Sequence, residues 1–237
     1  MAFTFVAAVG NFAAGAGTTL DATASLNVAD GDVLVAWAKH EGTNGTFAVA
    51  KTTGGNDFTF DAGDEMNHSN NDLNGSMGYL LSASADATFT PRLTTESKAF
   101  RALHVLQFRP NASETVTKDG SNKAQGNISG VSSGNITTTG TDGIAIGGFA
   151  SYSSSVTETE EINGVSATSV ADQDNCTAWY RIVTAGFTGA ATASTGGGIE
   201  WICAAIAFKS EAGVVWPPPG SDNAPEKIRT IQSGLKW

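Results

Sequence analysis

Charge is scarce in this chain, and positive charge is the scarcer kind. Only 15 % of the 237 residues are charged, and 13 Lys and Arg stand against 23 Asp and Glu, a formal charge of −10. Neutralising a phosphate backbone requires a basic face, so nucleic acid is not an expected partner. Cysteine is nearly absent as well. The two present, Cys176 and Cys203, are too few for a disulfide scaffold. Cys203 lies in the apolar run Ile202–Ile206 and reads as a buried small hydrophobe. If the strand that follows Cys176 pairs in a hairpin with the one ending at Phe208, Cys176 faces the Phe208 end, away from Cys203. Long hydrophobic runs are missing too. The apolar opening breaks at Gly10-Asn11, well short of the roughly 20 residues that span a bilayer. The first basic residue is Lys39, so the positive n-region of a signal peptide is lacking. Neither a signal peptide nor a membrane segment is expected. Glu, Lys, Arg and Leu, which fill surface helices, are also sparse.

What the chain does have is 28 Gly, with abundant Ser, Thr, Ala and Asn, the composition of short strands joined by tight turns. It also has an internal repeat. Gly31-Asp-Val-Leu-Val-Ala-Trp-Ala-Lys39 matches Asp142-Gly-Ile-Ala-Ile-Gly-Gly-Phe-Ala150 in shape. Met77–Ala83 parallels Ala178–Thr184, and Phe100–Phe108 parallels Glu200–Phe208. The three pairs keep their order, at offsets near 111, 101 and 100.

Between turns such as Asp30-Gly31, Asn44-Gly45, Gly54-Gly55 and Asn74-Gly75 the first half reads as seven strands. They are 4–9, 18–26, 33–40, 47–51, 77–82, 87–93 and 100–108. The second half reads as 115–118, 133–138, 143–152, 155–162, 178–183, 189–195 and 199–208. This pattern predicts an all-β chain of two tandem antiparallel β-sandwich (jelly-roll-like) domains from an internal duplication, at residues 1–110 and 111–210. Residues 211–237 form a separate C-terminal arm. Pro217-Pro218-Pro219 favours an extended polyproline conformation, and a short helix is expected after Pro225, with Ile228, Ile231 and Leu235 on one face. The arm carries Glu211, Asp222 and Glu226 against Lys227, Arg229 and Lys236, so the −10 belongs to the body.

Candidate chemistry is thin. Gly130-Val-Ser-Ser-Gly134 spells a nucleophile elbow, but that motif needs a strand-to-helix turn, and Asn-Ile-Thr-Thr-Thr comes next here. His40-Glu41 opens like a zinc-protease motif, but position 44 is Asn and the context is a strand end. His104 reads as a structural histidine within a strand, and His68 as a solvated loop residue. The acids Asp57, Asp61, Asp64 and Glu65, and Glu158, Glu160 and Glu161, lack calcium-loop spacing. Trp37, Tyr79, Trp179, Tyr180 and Trp201 lie in expected strands and read as core anchors. No catalytic residue, cofactor or metal is expected, and the chain is read as a non-enzyme.

With Gly31–Lys39, Asn67–Leu81 and Phe100–Phe108 as landmarks, the chain resembles auxiliary virion proteins of tailed bacteriophages, such as capsid decoration (cement) proteins and small tail components. The resemblance covers residues 1–209 and implies a structural protein of the virion, made in the bacterial host cytoplasm. Its implied partners are other virion proteins (the major capsid protein or tail components) and copies of itself. The alternative is a carbohydrate- or receptor-binding β-sandwich module of a tail fibre or bacterial surface protein. The expected docking residues are Trp216, Pro217, Pro218, Pro219, Ile228, Ile231, Leu235 and Trp237.

Overall fold

The structure is a computed structural model that describes residues 3–42, 45–61, 65–68, 73–112, 114–140, 142–152, 160–172 and 175–212. All regular structure among them is β. The first half contains β1 (Phe3–Ala13), β2 (Gly17–Asp21), β3 (Leu26–Val28), β4 (Val33–Glu41), β5 (Ala48–Lys51), β6 (Met66–Asn67), β7 (Leu73–Leu80), β8 (Asp86–Phe89) and β9 (Pro91–Pro110). The second contains β10 (Glu114–Gly126), β11 (Gly130–Thr137), β12 (Gly143–Ser151), β13 (Glu161–Ile162), β14 (Val165–Ser166), β15 (Thr168–Asp172), β16 (Cys176–Val183), β17 (Thr188–Ser194) and β18 (Trp201–Ala212). Glu211 and Ala212, expected at the start of the arm, instead extend β18 along β10; the rest of the arm and the helix expected within it lie outside the described residues, as does most of the strand expected at 155–162.

Two large antiparallel sheets form the middle of the molecule, ordered β1-β9-β4-β7-β6 and β10-β18-β12-β16-β15. The orders correspond strand for strand. So do the registers: Val35 pairs with Tyr79 and Leu106, and Ile146 with Tyr180 and Ile206. Even the irregularity of the edge strand is shared. β1 bulges just after Phe5, opposite Phe108, and β10 bulges just after Lys118, opposite Phe208.

Each large sheet carries a smaller partner on its outer face. In the first half it consists of β2, β5 and the beginning of β9, with the β3–β8 pair. In the second half it is β11-β17-β13-β14. The expected strands at 87–93 and 100–108 therefore differ from what forms. β9 runs without interruption from the outer layer into the central sheet, turning near Phe100, whose φ is +45°. The corresponding path of the second half is broken between β17 and β18. The expected strand 18–26 also divides, into β2 and β3.

The inner faces of the two large sheets pack on each other, giving four β layers with three apolar cores. Leu34, Ala36, Ala38 and Leu103 fill the first sandwich, and Ala145, Phe149, Trp179 and Cys203 the second. Between the halves lie Val33, Val35, Trp37, Leu106 and Phe108 with Ile144, Ile146, Ala178, Ile206 and Phe208. This explains why β4 is apolar from Val33 to Ala38 and β12 holds no charged residue. Successive side chains point to opposite faces, and both faces are covered.

The central packing is reciprocal, as across an isologous dimer interface. Tyr79 meets Phe208 edge-on with ring centroids 5.4 Å apart, and Tyr180 meets Phe108 likewise at 5.2 Å. At the centre Trp37 lies over Gly148, its own counterpart in the repeat. A Cβ there would sit 2.5 Å from the indole. The indole nitrogen donates to Phe149 O across the interface at 2.9 Å.

Cys176 and Cys203 are both buried, and no disulfide joins them. The expected hairpin does not form, because β12 lies between β16 and β18. The two cysteines face different cores, Cys176 the central one and Cys203 the second sandwich.

Reciprocity makes a test possible. Trp37→Gly alone should cost about 3–5 kcal/mol through the cavity it leaves, and Gly148→Trp alone should also destabilise by overpacking. The double swap, Trp37→Gly with Gly148→Trp, should recover a substantial part of the loss in denaturant unfolding.

Candidate docking groove at the junction of the halves

The two halves are joined where β9 ends at Pro110 and β10 begins at Glu114. Beside this connector, a groove of about 450 Å³ is lined by the turn at Asp30-Gly31, by Leu81, by Arg109 and Pro110, and by the start of β10 at Glu114 and Val116. Its wall is fixed by one buried carboxylate. Asp32, fully buried, accepts hydrogen bonds from Ala29 N at 2.8 Å and Gln107 Nε2 at 2.5 Å, and from Arg109 Nε at 2.8 Å and Nη2 at 2.9 Å. Burial alone would raise the Asp32 pKa, but the bonds from Arg109, the Ala29 amide and Gln107 hold it below the usual carboxylate value. Arg109 is thereby clamped with its guanidinium plane set, while about half of its side chain stays exposed. β18 reaches the same place: Ala212 pairs with Glu114, and the Ser210 hydroxyl bonds the Glu114 carboxylate.

None of the sequence-derived docking residues can be placed here, since Trp216, Pro217, Pro218, Pro219, Ile228, Ile231, Leu235 and Trp237 lie outside the described residues. Sequence reasoning does not single out the Asp32–Gln107–Arg109 cluster. Its only signal there is a lone acid opening one apolar strand and a lone arginine closing another.

The other candidates are accounted for by packing. Gly130–Gly134 is part of β11, with Ser133 buried and its hydroxyl bonded to Gly134 O. His104 is buried and its Nε2 lies 2.9 Å from Cys176 O, tying β9 to the other half. His68 differs from the expectation of a solvated residue. It is buried, with Nε2 3.2 Å from Gly126 O and Nδ1 3.6 Å from the Glu200 carboxylate. His68 is held between the halves, which local polarity could not reveal. Asp61 binds Lys118 and accepts from the Tyr79 hydroxyl at 3.0 Å. Asp64 and Glu158 lie outside the described residues. Trp37 and Trp179 are fully buried and Trp201 nearly so. Among the described residues, no three His, Cys, Asp or Glu side chains group closely enough to hold a metal, and no helix is long and apolar enough to cross a membrane.

Comparison of the chain with protein-family models, curated proteins and solved structures finds no match.

Two variants test the electrostatics. Asp32→Ala strands Gln107 and Arg109 and should cost about 2–4 kcal/mol, less than for a fully buried pair because Arg109 keeps water. His40, buried on β4, has its pKa lowered from 6.5 to about 4 by burial and by Lys98. The unfolded chain binds the proton more tightly, so stability is intact above pH 6.5 and falls as pH drops from there to about 4. The expected slope from this group is about 1.4 kcal/mol per pH unit. His40→Gln should flatten that part of the curve, read by urea unfolding at each pH.

Proposed function

We propose that this chain is a non-enzymatic structural protein of a tailed-phage virion, a capsid decoration (cement) protein held on other virion proteins by its C-terminal arm. The observation that carries the reading is the way the chain leaves its body. β18 delivers residue 212 to the rim of a preformed groove, and the 25 residues that follow it carry a net charge of only +1 against −11 on residues 1–212. Trp216, Ile228, Ile231, Leu235 and Trp237 give that extension apolar anchors, each able to contribute roughly 1.5–3 kcal/mol when buried, before ordering costs. Buried polar side chains of the body support a structural role, because Lys39, His68 and His104 join one half to the other. The corresponding strand orders, registers and bulges support an internal duplication behind the two halves. Partners on this reading are the major capsid protein or a tail component, together with further copies of the chain. Localisation is the virion.

The competing assignment, a carbohydrate- or receptor-binding module, would need an exposed aromatic platform. Trp37, Trp179 and Trp201 serve the cores instead.

Deleting residues 220–237 tests the reading. The shortened protein should keep its melting temperature within about 2–3 °C, since the arm's distal part belongs to the partner interface. It should no longer co-sediment with undecorated phage capsids, which the full chain should bind saturably. Equal binding by both proteins, or glycan-array hits without capsid binding, would overturn the proposal.

A further inference from the structure

We propose that the groove at the junction of the halves is the seat of Trp216 from the same chain, clamping the root of the arm so that the proline run leaves the body in a set direction. This rests on the reading of residues 213–237 as a docking arm and deepens it.

Reach is the first argument. Glu114 lines the groove and is the ladder partner of Ala212. Trp216 lies four residues further on, and four extended residues span about 13 Å. The indole can therefore enter the groove without displacing a strand.

Chemistry is the second. The Arg109 guanidinium is fixed by two bonds to Asp32 at 2.8 and 2.9 Å, and about half of the Arg109 side chain stays exposed at the groove. A fixed guanidinium on a half-exposed side chain offers a stacking surface to an aromatic ring, and Trp is the ring that binds cations best. Leu81, Pro110 and Val116 supply apolar contacts around it. The clamp is rigid in advance, because Asp32 is also bonded to Ala29 N and Gln107, so little ordering is left to the binding step.

The proline run is the third. Pro217-Pro218-Pro219 comes directly after the proposed anchor, and such a run extends stiffly by about 3.1 Å per residue. A stiff spacer conveys direction only when its root is fixed. Seating Trp216 fixes that root.

The test uses the full chain carrying Trp237→Phe, with the same protein lacking Trp216 (Trp216→Phe) as the reference. Their difference isolates Trp216 emission, and acrylamide quenching reads its exposure. Trp216 should be shielded. Thr115→Gln, an exposed change at the groove rim, should raise its quenching toward that of a free indole, with the melting temperature unchanged. Arg109→Lys keeps the charge beside Asp32 but removes the plane, and should weaken Trp216 seating roughly two- to fivefold, the value of an exposed cation–π contact. Trp216 as open to acrylamide as free indole in the parent protein would overturn the proposal. So would shielding that neither variant changes, which would put Trp216 elsewhere. Shielding that appears only at concentrations where light scattering detects dimers would assign the groove to a second copy's arm, against the proposal. Capsid binding by the protein lacking residues 220–237 is read separately, so failure of the clamp and failure of the docking arm are distinguishable.

Discussion

Everything in this molecule is arranged around the contact of Trp37 with Gly148. Two five-stranded ladders can pack inner face to inner face only where side chains interdigitate without voids. The largest side chain at the centre needs an opposing position with no side chain at all. With that contact made, β4 and β12 are buried on both faces. Several polar groups buried with them, on β4 and on the neighbouring β9, are tied off inside, since an unpaired buried polar group costs more than a bond gains. The Trp37 indole reaches Phe149 O, Lys39 Nζ reaches Ser151 O at 3.2 Å, and His104 reaches Cys176 O. Every one of these bonds crosses from the first half to the second. The central core thus has directional ties as well as apolar burial.

The halves correspond in backbone but differ in how their margins are closed. Along β1, Phe5 stacks on Tyr180 with centroids 4.6 Å apart. At the corresponding place on β10, Lys118 sits 5.7 Å over the Tyr79 ring and pairs with Asp61. One margin is closed by an aromatic stack, the other by a cation held between a ring and a carboxylate. The contrast extends along the strands: β1 has no charged residue, and β10 carries Glu114, Lys118, Asp119 and Lys123. Charges on an edge strand discourage pairing with other chains. The two margins therefore present different surfaces despite the shared topology.

The junction groove draws its shape from the same constraint. Asp32 opens β4 and Gln107 and Arg109 close β9, neighbouring strands of one central sheet. A carboxylate buried there is tolerated because four donors surround it. Rigidity at the groove wall is thus a by-product of satisfying a charge at the end of a doubly covered sheet.

Composition and turn chemistry alone determined the all-β class, and three matched segments carried the correspondence of the halves, down to the ladder registers that their offsets imply. Strand centres were legible because Val33, Val35 and Trp37, or Ile144 and Ile146, are β-branched or aromatic and flanked by Gly-Asp turns. The sequence could not say that the halves pack through their large sheets, because the apolar runs of β4 and β12 call for cover on both faces but do not name the surface that supplies it. Nor could it reveal that β9 continues past Phe100 from one layer to the next, that His68 is buried by the second half, or that Asp32 meets Arg109. Each of these depends on residues far apart in the chain, and only the tertiary structure brings such groups within hydrogen-bond or packing distance.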